Sequence, residues 1–348
     1  MTMPLLARPV GVRAAAPADR ARVDAFVRAH PEATPFHLPA WGEAVAAGCG
    51  QRAHVLLAEH GDGTLAGVLP LTEMRSPLFG RALVSSGFAV DGGILGETCA
   101  IEPLASAARE LAGRLNCPSI ELRGGAHPAD WAIDEGSYLG FARDLAASDE
   151  AELLAIPRKQ RAEVRKALAN DLAVEIGRDA RALADHYRVY AESVRNLGTP
   201  VFPRALFREA VARMDADVLT VRHAGVPVAS VLSLYWNGTV YPYWGGGTDA
   251  ARGLRANDRM YFALMAHARA RGCTRFDFGR SKVGTGAAAF KKNWGFEGRP
   301  LSYASWSEGE RREVNPLNPK YALMVRTWKK LPLPLANALG PWISRGLG

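Results

Sequence analysis

Three consecutive glycines, Gly245, Gly246 and Gly247, follow the aromatic stretch Val240-Tyr241-Pro242-Tyr243-Trp244. A strand ending in such a run leaves its backbone unscreened, and peptide N–H groups there can meet a developing oxyanion. Downstream, Asp277 stands between Phe276 and Phe278 in an alternating, strand-like run. It can orient an amine or pair with Arg280. Upstream, Arg158, Arg161 and Arg165 recur at i, i+3, i+7 behind Pro157, with Lys159 and Lys166 beside them. Guanidinium groups so spaced form a phosphate clamp or the solvated face of a linker helix. Other chemistries are excluded. Gly279–Thr285 (GRSKVGT) lacks the Lys-Ser/Thr ending of a phosphate-binding P-loop. The four cysteines form no CxxC pair and the eight histidines no HExxH, so neither a metal nor another cofactor is expected. Cys273 has no histidine motif near it to make it a nucleophile.

The elements that position these residues can be read around them. Val240–Trp244 reads as a strand that the glycines end. Asn257 or Asp258 caps a helix with Met260, Tyr261, Leu264, Met265 and Ala268 on one face. Gly272 stops that helix, and Thr274–Phe278 is the next strand. An earlier copy of this order exists. The hairpin from Val55 to Leu71 aligns without gaps with Val218 to Leu234, matching Val55, Leu56, His60, Ala66, Val68, Leu69 and Leu71 to Val218, Leu219, His223, Ala229, Val231, Leu232 and Leu234. A glycine turn, a helix over Pro103–Leu115 and a strand over Ser119–Arg123 continue the first copy. The duplication predicts two α/β domains, 1–150 and 151–310, then a basic tail, 311–348. Near the front, Phe36 and Trp41 are either core or cleft-lining aromatics.

The chain has 348 residues, 48% of them hydrophobic, which suits two domains with sizeable cores. It contains no apolar run of about 18 residues, so no spanning helix is expected. The first residues, MTMPLLARPVGVRAAAPADR, are too short in apolar core for a secretory signal. A cytoplasmic protein with reduced thiols is expected. The net charge of +8 favours polyanionic partners: RNA, nucleotide-sugar phosphates or an anionic membrane face. In the tail, Tyr321–Lys330 (YALMVRTWKK) reads as a basic amphipathic helix, suited to packing on its own domain or to peripheral contact with the inner membrane.

Four segments in order carry a family likeness: Thr199–Pro203 (TPVFP), Tyr243–Gly247 (YWGGG), Asp277–Ser281 (DFGRS) and Phe290–Phe296 (FKKNWGF). With them the chain, from about Pro35 to Trp306, resembles the FemAB family of GNAT-like peptidyl and aminoacyl transferases. Within it, the likeness is to the branch associated with exosortase/PEP-CTERM and exopolysaccharide loci. The resemblance implies an α/β fold of two tandem GNAT-like domains with a cleft between them. It implies acyl transfer that forms an amide on a phosphorylated sugar or peptide acceptor, with aminoacyl-tRNA or acyl-CoA as donor. The GNAT pyrophosphate loop, Arg/Gln-x-x-Gly-x-Gly/Ala, is altered here: Arg255 stands where its first glycine belongs. This weakens the case for an ordinary acyl-CoA N-acetyltransferase. Lys291 stands where such enzymes often carry a tyrosine proton donor; it can stabilise developing negative charge, or be a surface lysine beside a packed Trp294. By this resemblance Lys291, Asp277 and Tyr243 are the catalytic candidates. Arg158, Arg161, Arg165, Tyr190, Phe202, Trp244, Gly245, Gly246, Arg280, Lys282 and Lys292 are the substrate-binding ones. The other reading is a non-catalytic module of the same fold that binds a nucleotide sugar or RNA.

Overall fold

A computed structural model describes residues 10–309 and 319–348. The start of the N-terminal segment read for a signal, and the start of the tail, lie outside the described residues. Residues 10–135 carry β1 (Val10–Ala14), α1 (Arg20–Ala29), α2 (Pro39–Cys49), β2 (Arg52–His60), β3 (Leu65–Ser76), β4 (Gly80–Ser85), β5 (Leu95–Gly96), α3 (Ile101–Leu115), β6 (Ser119–Arg123) and β7 (Ala132–Asp134). Next come β8 (Tyr138–Asp144), α4 (Asp149–Ala155), α5 (Arg158–Ala169), β9 (Ala173–Gly177), α6 (Ala180–Leu197), α7 (Arg204–Arg213), β10 (Ala216–His223), β11 (Val226–Trp236) and β12 (Thr239–Gly247). They are followed by α8 (Asp249–Leu254), α9 (Ala256–Ala270), β13 (Arg275–Lys282), α10 (Gly286–Asn293), β14 (Gly298–Pro300), β15 (Tyr303–Ser307), α11 (Pro319–Lys330) and α12 (Leu333–Ser344).

The elements form two units, each with one sheet. The first sheet runs β1-β2-β3-β4-β6-β15-β7, with β5 on β3. The second runs β9-β10-β11-β12-β13-β8-β14. Position by position the two orders match. The aligned hairpins are β2–β3 and β10–β11, both antiparallel. In each unit a helix then connects two parallel strands that share only two residue pairs: Leu83↔Ile120 and Val84↔Glu121 in the first, Thr239↔Arg275 and Val240↔Phe276 in the second. Helix α3 covers the first sheet with Leu104, Ala105, Ala108 and Leu111. Helix α9 covers the second with Met260, Leu264, Met265 and Ala268, on the face that helical spacing indicates.

The units do not follow the sequence-based boundaries, because each borrows a strand. β8, numbered within 1–150, pairs with β13 and β14 of the second sheet. β15, numbered within 151–310, pairs with β6 and β7 of the first. The tail also divides: 319–344 group with the second unit and 345–348 with the first. Helices α11 and α12 both contact α6. Arg195 donates to the Lys329 carbonyl at 3.3 Å, and Ser344 to the Val201 carbonyl at 2.8 Å. Residues 319–344 of the tail therefore pack on the second unit. Phe36 and Trp41 are buried in the first unit with rings 4.9 Å apart, so they are core rather than cleft lining.

Candidate functional site

The second unit assembles its candidate groups where β12 and β13 part. β12 keeps its ladder with β11, and β13 turns to pair with β8. Backbone on the inner edges beyond Val240 and Phe276 leaves their shared ladder, the arrangement that lets a carbonyl enter between strands. Two irregularities shape the opening. In β12, Pro242 faces Ser233 and Trp244 faces Leu232, so Tyr243 is the extra residue of a bulge. In β13 the register shifts between Asp277 and Arg280, and Gly279 adopts φ +68°. A side chain at Gly279 would be strained there.

The three glycines are the last paired residues of β12 rather than a turn beyond it; they pair with Val231, Ser230 and Ala229. Their lack of side chains admits neighbouring helices. A Cβ on Gly246 would collide with Ser193 of α6, and one on Gly247 would lie 2.6 Å from Ala251 of α8. A Cβ on Gly245 would come within 3.4 Å of the Tyr261 hydroxyl. Helical spacing puts Tyr261 on the apolar face of α9, and that spacing carries no sign that its phenol reaches the glycine strand. The ring packs edge-on against Phe278 at 4.6 Å, and burial pushes the phenol up from its ordinary value.

Lys291 is not a surface lysine. It is 9% exposed, and its ammonium donates to the carbonyls of Gly279 at 3.0 Å and Arg280 at 2.9 Å. It also lies over the rings of Phe141 and Phe278. Burial lowers its pKa to about 8, against the pull of Asp277. The ammonium has three protons, and the bulge carbonyls take two, which leaves one uncommitted. Asp277 accepts from the Gly279 N–H at 2.8 Å, and burial pushes its carboxyl up against the effects of that N–H, Lys291 and Arg275. Its charged neighbours are thus Lys291 and Arg275. Arg280, the partner offered by sequence, instead lies over the Tyr138 ring at 4.7 Å.

Other candidates fall elsewhere. Trp244 is buried and packs edge-on against Phe207 at 5.0 Å, with Phe202 at 6.3 Å. Tyr190 is buried, stacked on His186 and edge-on to Phe207. Lys292 is exposed on α10, on a different side from Lys291, and Lys282 is exposed at the end of β13. Arg158 and Arg165 are exposed, while Arg161 is half-buried and partly engaged. It donates to the carbonyls of Leu154 at 2.7 Å and Ile156 at 3.1 Å, satisfying the end of α4.

The start of α9, where the resemblance puts the GNAT phosphate loop, is lined by Arg255, Glu163 and Asp258. Arg255 adopts φ +57° at the junction of α8 and α9, a conformation that favours glycine. Its guanidinium bonds to Glu163 and to the Arg252 carbonyl. Asp258, nearly buried in the first turn, accepts from Gln160 at 2.6 Å, and burial pushes it up to about 6. A pyrophosphate there would meet two carboxylates. In the first unit, His60, Glu97 and Cys99 gather ligand atoms within 4.8 Å of one another, a grouping that sequence spacing conceals.

Residues 158–292 match the family model described as "Acetyltransferase (GNAT) domain". No curated protein sequence matches the chain. Among solved structures, FemX superposes with TM-score 0.65 at 16% identity, over 90% of this chain and 100% of that one. L-PGS from Bacillus licheniformis gives 0.52 at 14%, over 90% and 98%. A tandem GNAT protein from the clavulanic acid biosynthesis pathway gives 0.52 at 11%, over 87% and 100%. At such identities these likenesses carry the fold. With the domain match they give a chain built on two tandem GNAT-like domains, in which residues 158–292 are an acetyltransferase (GNAT) domain.

Proposed function

We propose that the second unit moves an aminoacyl group from aminoacyl-tRNA to an amine of a phosphorylated sugar or peptide precursor, in cell-envelope or exopolysaccharide synthesis. The amine attacks the ester carbonyl, the carbonyl oxygen becomes an oxyanion, and collapse forms the amide and releases the tRNA hydroxyl. The amine's proton ends on that hydroxyl. The backbone where β12 and β13 part, with the third Lys291 proton, stabilises the oxyanion. The observation that supports the choice of donor is the acidic α9 start: Asp258 and Glu163 line the segment that the resemblance matches to the CoA pyrophosphate loop. The fold shared with FemX and L-PGS supports aminoacyl transfer. The deciding experiment supplies radiolabelled aminoacyl-tRNA and, separately, radiolabelled acetyl-CoA with a cell-envelope precursor fraction. Label should pass from the tRNA. Transfer from acetyl-CoA alone overturns this reading, and transfer from neither leaves a binding module of the same fold.

Two smaller effects are expected. Acetyl-CoA should show no binding below the millimolar range by calorimetry, and Asp258→Asn combined with Glu163→Gln should strengthen it. Micromolar affinity in the unaltered protein would contradict the acidic-site argument. Replacing exposed Arg158 and Arg165 with alanine should raise KM for the tRNA severalfold and leave kcat within about twofold, because ground-state and transition-state binding fall together. An unchanged KM makes α5 a linker.

A further inference from the structure

The first unit holds a cavity of about 520 Å³ beside the β3–β4 turn, lined by Cys49, Gly50, Gln51, Arg75, Ser76, Pro77, Gly80, Arg81 and Arg345. Three arginines converge on it, from β3, β4 and the C-terminal segment, and no carboxylate lines it. The frame is fixed by Gln51. Its carboxamide donates to the Arg345 carbonyl at 2.6 Å and to the Arg75 carbonyl at 3.2 Å, and accepts from the Arg75 N–H at 2.9 Å. Arg75 Nε is buried 3.8 Å from the Glu73 carboxylate and makes no hydrogen bond among the described residues, so its outer N–H groups are the ones left for an anion. Arg81 spends one N–H on the Leu115 carbonyl at 3.0 Å. A guanidinium offers five donors, so most remain for an anion.

The turn beside this cavity is apolar and exposed. Leu78 is 54% exposed, Phe79 48% and Leu347 45%. The C-terminal segment lies against the turn: a Cβ on Gly346 would be 3.5 Å from the Phe79 ring. Soluble phosphate esters give no reason for unsheltered Leu78 and Phe79 at the mouth of an arginine pocket. A lipid surface does, since apolar side chains enter the acyl boundary while arginines hold headgroup phosphates. We infer that the β3–β4 turn of the first unit docks on an anionic phospholipid surface, with a headgroup phosphate held by Arg75, Arg81 and Arg345.

The test is co-sedimentation of the full chain with phosphatidylcholine vesicles, with and without phosphatidylglycerol. Binding should require phosphatidylglycerol and weaken with salt. The double variant Arg81→Ala/Arg345→Ala should lose about fivefold in partition for each arginine. Leu78→Ser/Phe79→Ser should also lose binding, with melting temperatures showing that both variants fold. Equal binding to both vesicle types overturns the inference. So does binding that survives both double variants and falls only in Lys329→Ala/Lys330→Ala, which would place the contact on α11. Inorganic phosphate that stabilises the protein through Arg81 and Arg345, without vesicle binding, assigns the pocket to a soluble ester and also overturns it.

Discussion

Replacing Lys291 with methionine should lower kcat about a hundredfold, the usual effect of removing one oxyanion donor, with a smaller change in KM. Methionine keeps the bulk and apolar character of the stem. Lys292→Met is the control, since that side chain is exposed on α10. The alkaline limb of the kcat profile supplies a second readout. The active form is the ammonium, so kcat should fall as pH rises through about 8, where burial has placed its titration. In Lys291→Met that limb should vanish. Stability carries the opposite sign. Between about 8 and the ordinary lysine value of 10.5, the unfolded chain holds a proton that the folded one has lost. Unfolding free energy therefore rises with pH across that window. The rise should be on the order of 3 kcal/mol and absent from the variant. If Lys291→Met folds, keeps full turnover and retains the alkaline limb, Lys291 only pins the β13 bulge and the site assignment fails.

Replacing Glu152 with alanine should destabilise the second unit by about 3–5 kcal/mol, because it strands buried charge. Glu152 is fully buried; it accepts from Arg143, from the Ala146 N–H at 2.9 Å and from Arg269 at 3.4 Å. Arg143 in turn lies 4.6 Å over the Phe296 ring, and Phe296 packs on Phe276 and Phe278 of β13. The carboxylate thus joins β8, α4 and α9 beneath the strand that carries Asp277. The urea midpoint should fall without a change in the slope of the transition. The double variant Glu152→Leu/Arg143→Met should recover part of the loss, because it removes the stranded charge together with its partner. A loss under about 1 kcal/mol in Glu152→Ala would mean that water reaches the cluster and the charges are not buried as a set.

Sequence by itself determined what depends on local pattern. Helical spacing in α9, alternation in β13 and the match of the β2–β3 and β10–β11 hairpins sufficed to place two copies of one α/β plan. They also located the segment where the strands part, since a parallel pair must be joined by a crossover. The altered phosphate loop was legible as Arg255 in a glycine position, because backbone conformation is constrained residue by residue.

Tertiary structure alone decided which strand pairs with which and what each side chain faces. β8 and β15 join sheets on the far side of the boundaries drawn from repeats, because strand pairing is a contact between distant residues that periodicity does not record. The glycines read as a turn that stops the strand, yet they are its last paired residues, where α6 and α8 press too close for a Cβ. Arg161 belongs to a helical arginine row, but the carbonyls at the end of α4 claim it. Lys291 sits in a run that reads equally as surface or site. Only the bulge in β13, folded back beneath α10, supplies the two carbonyls and the low-polarity surroundings that bury its ammonium and lower its pKa.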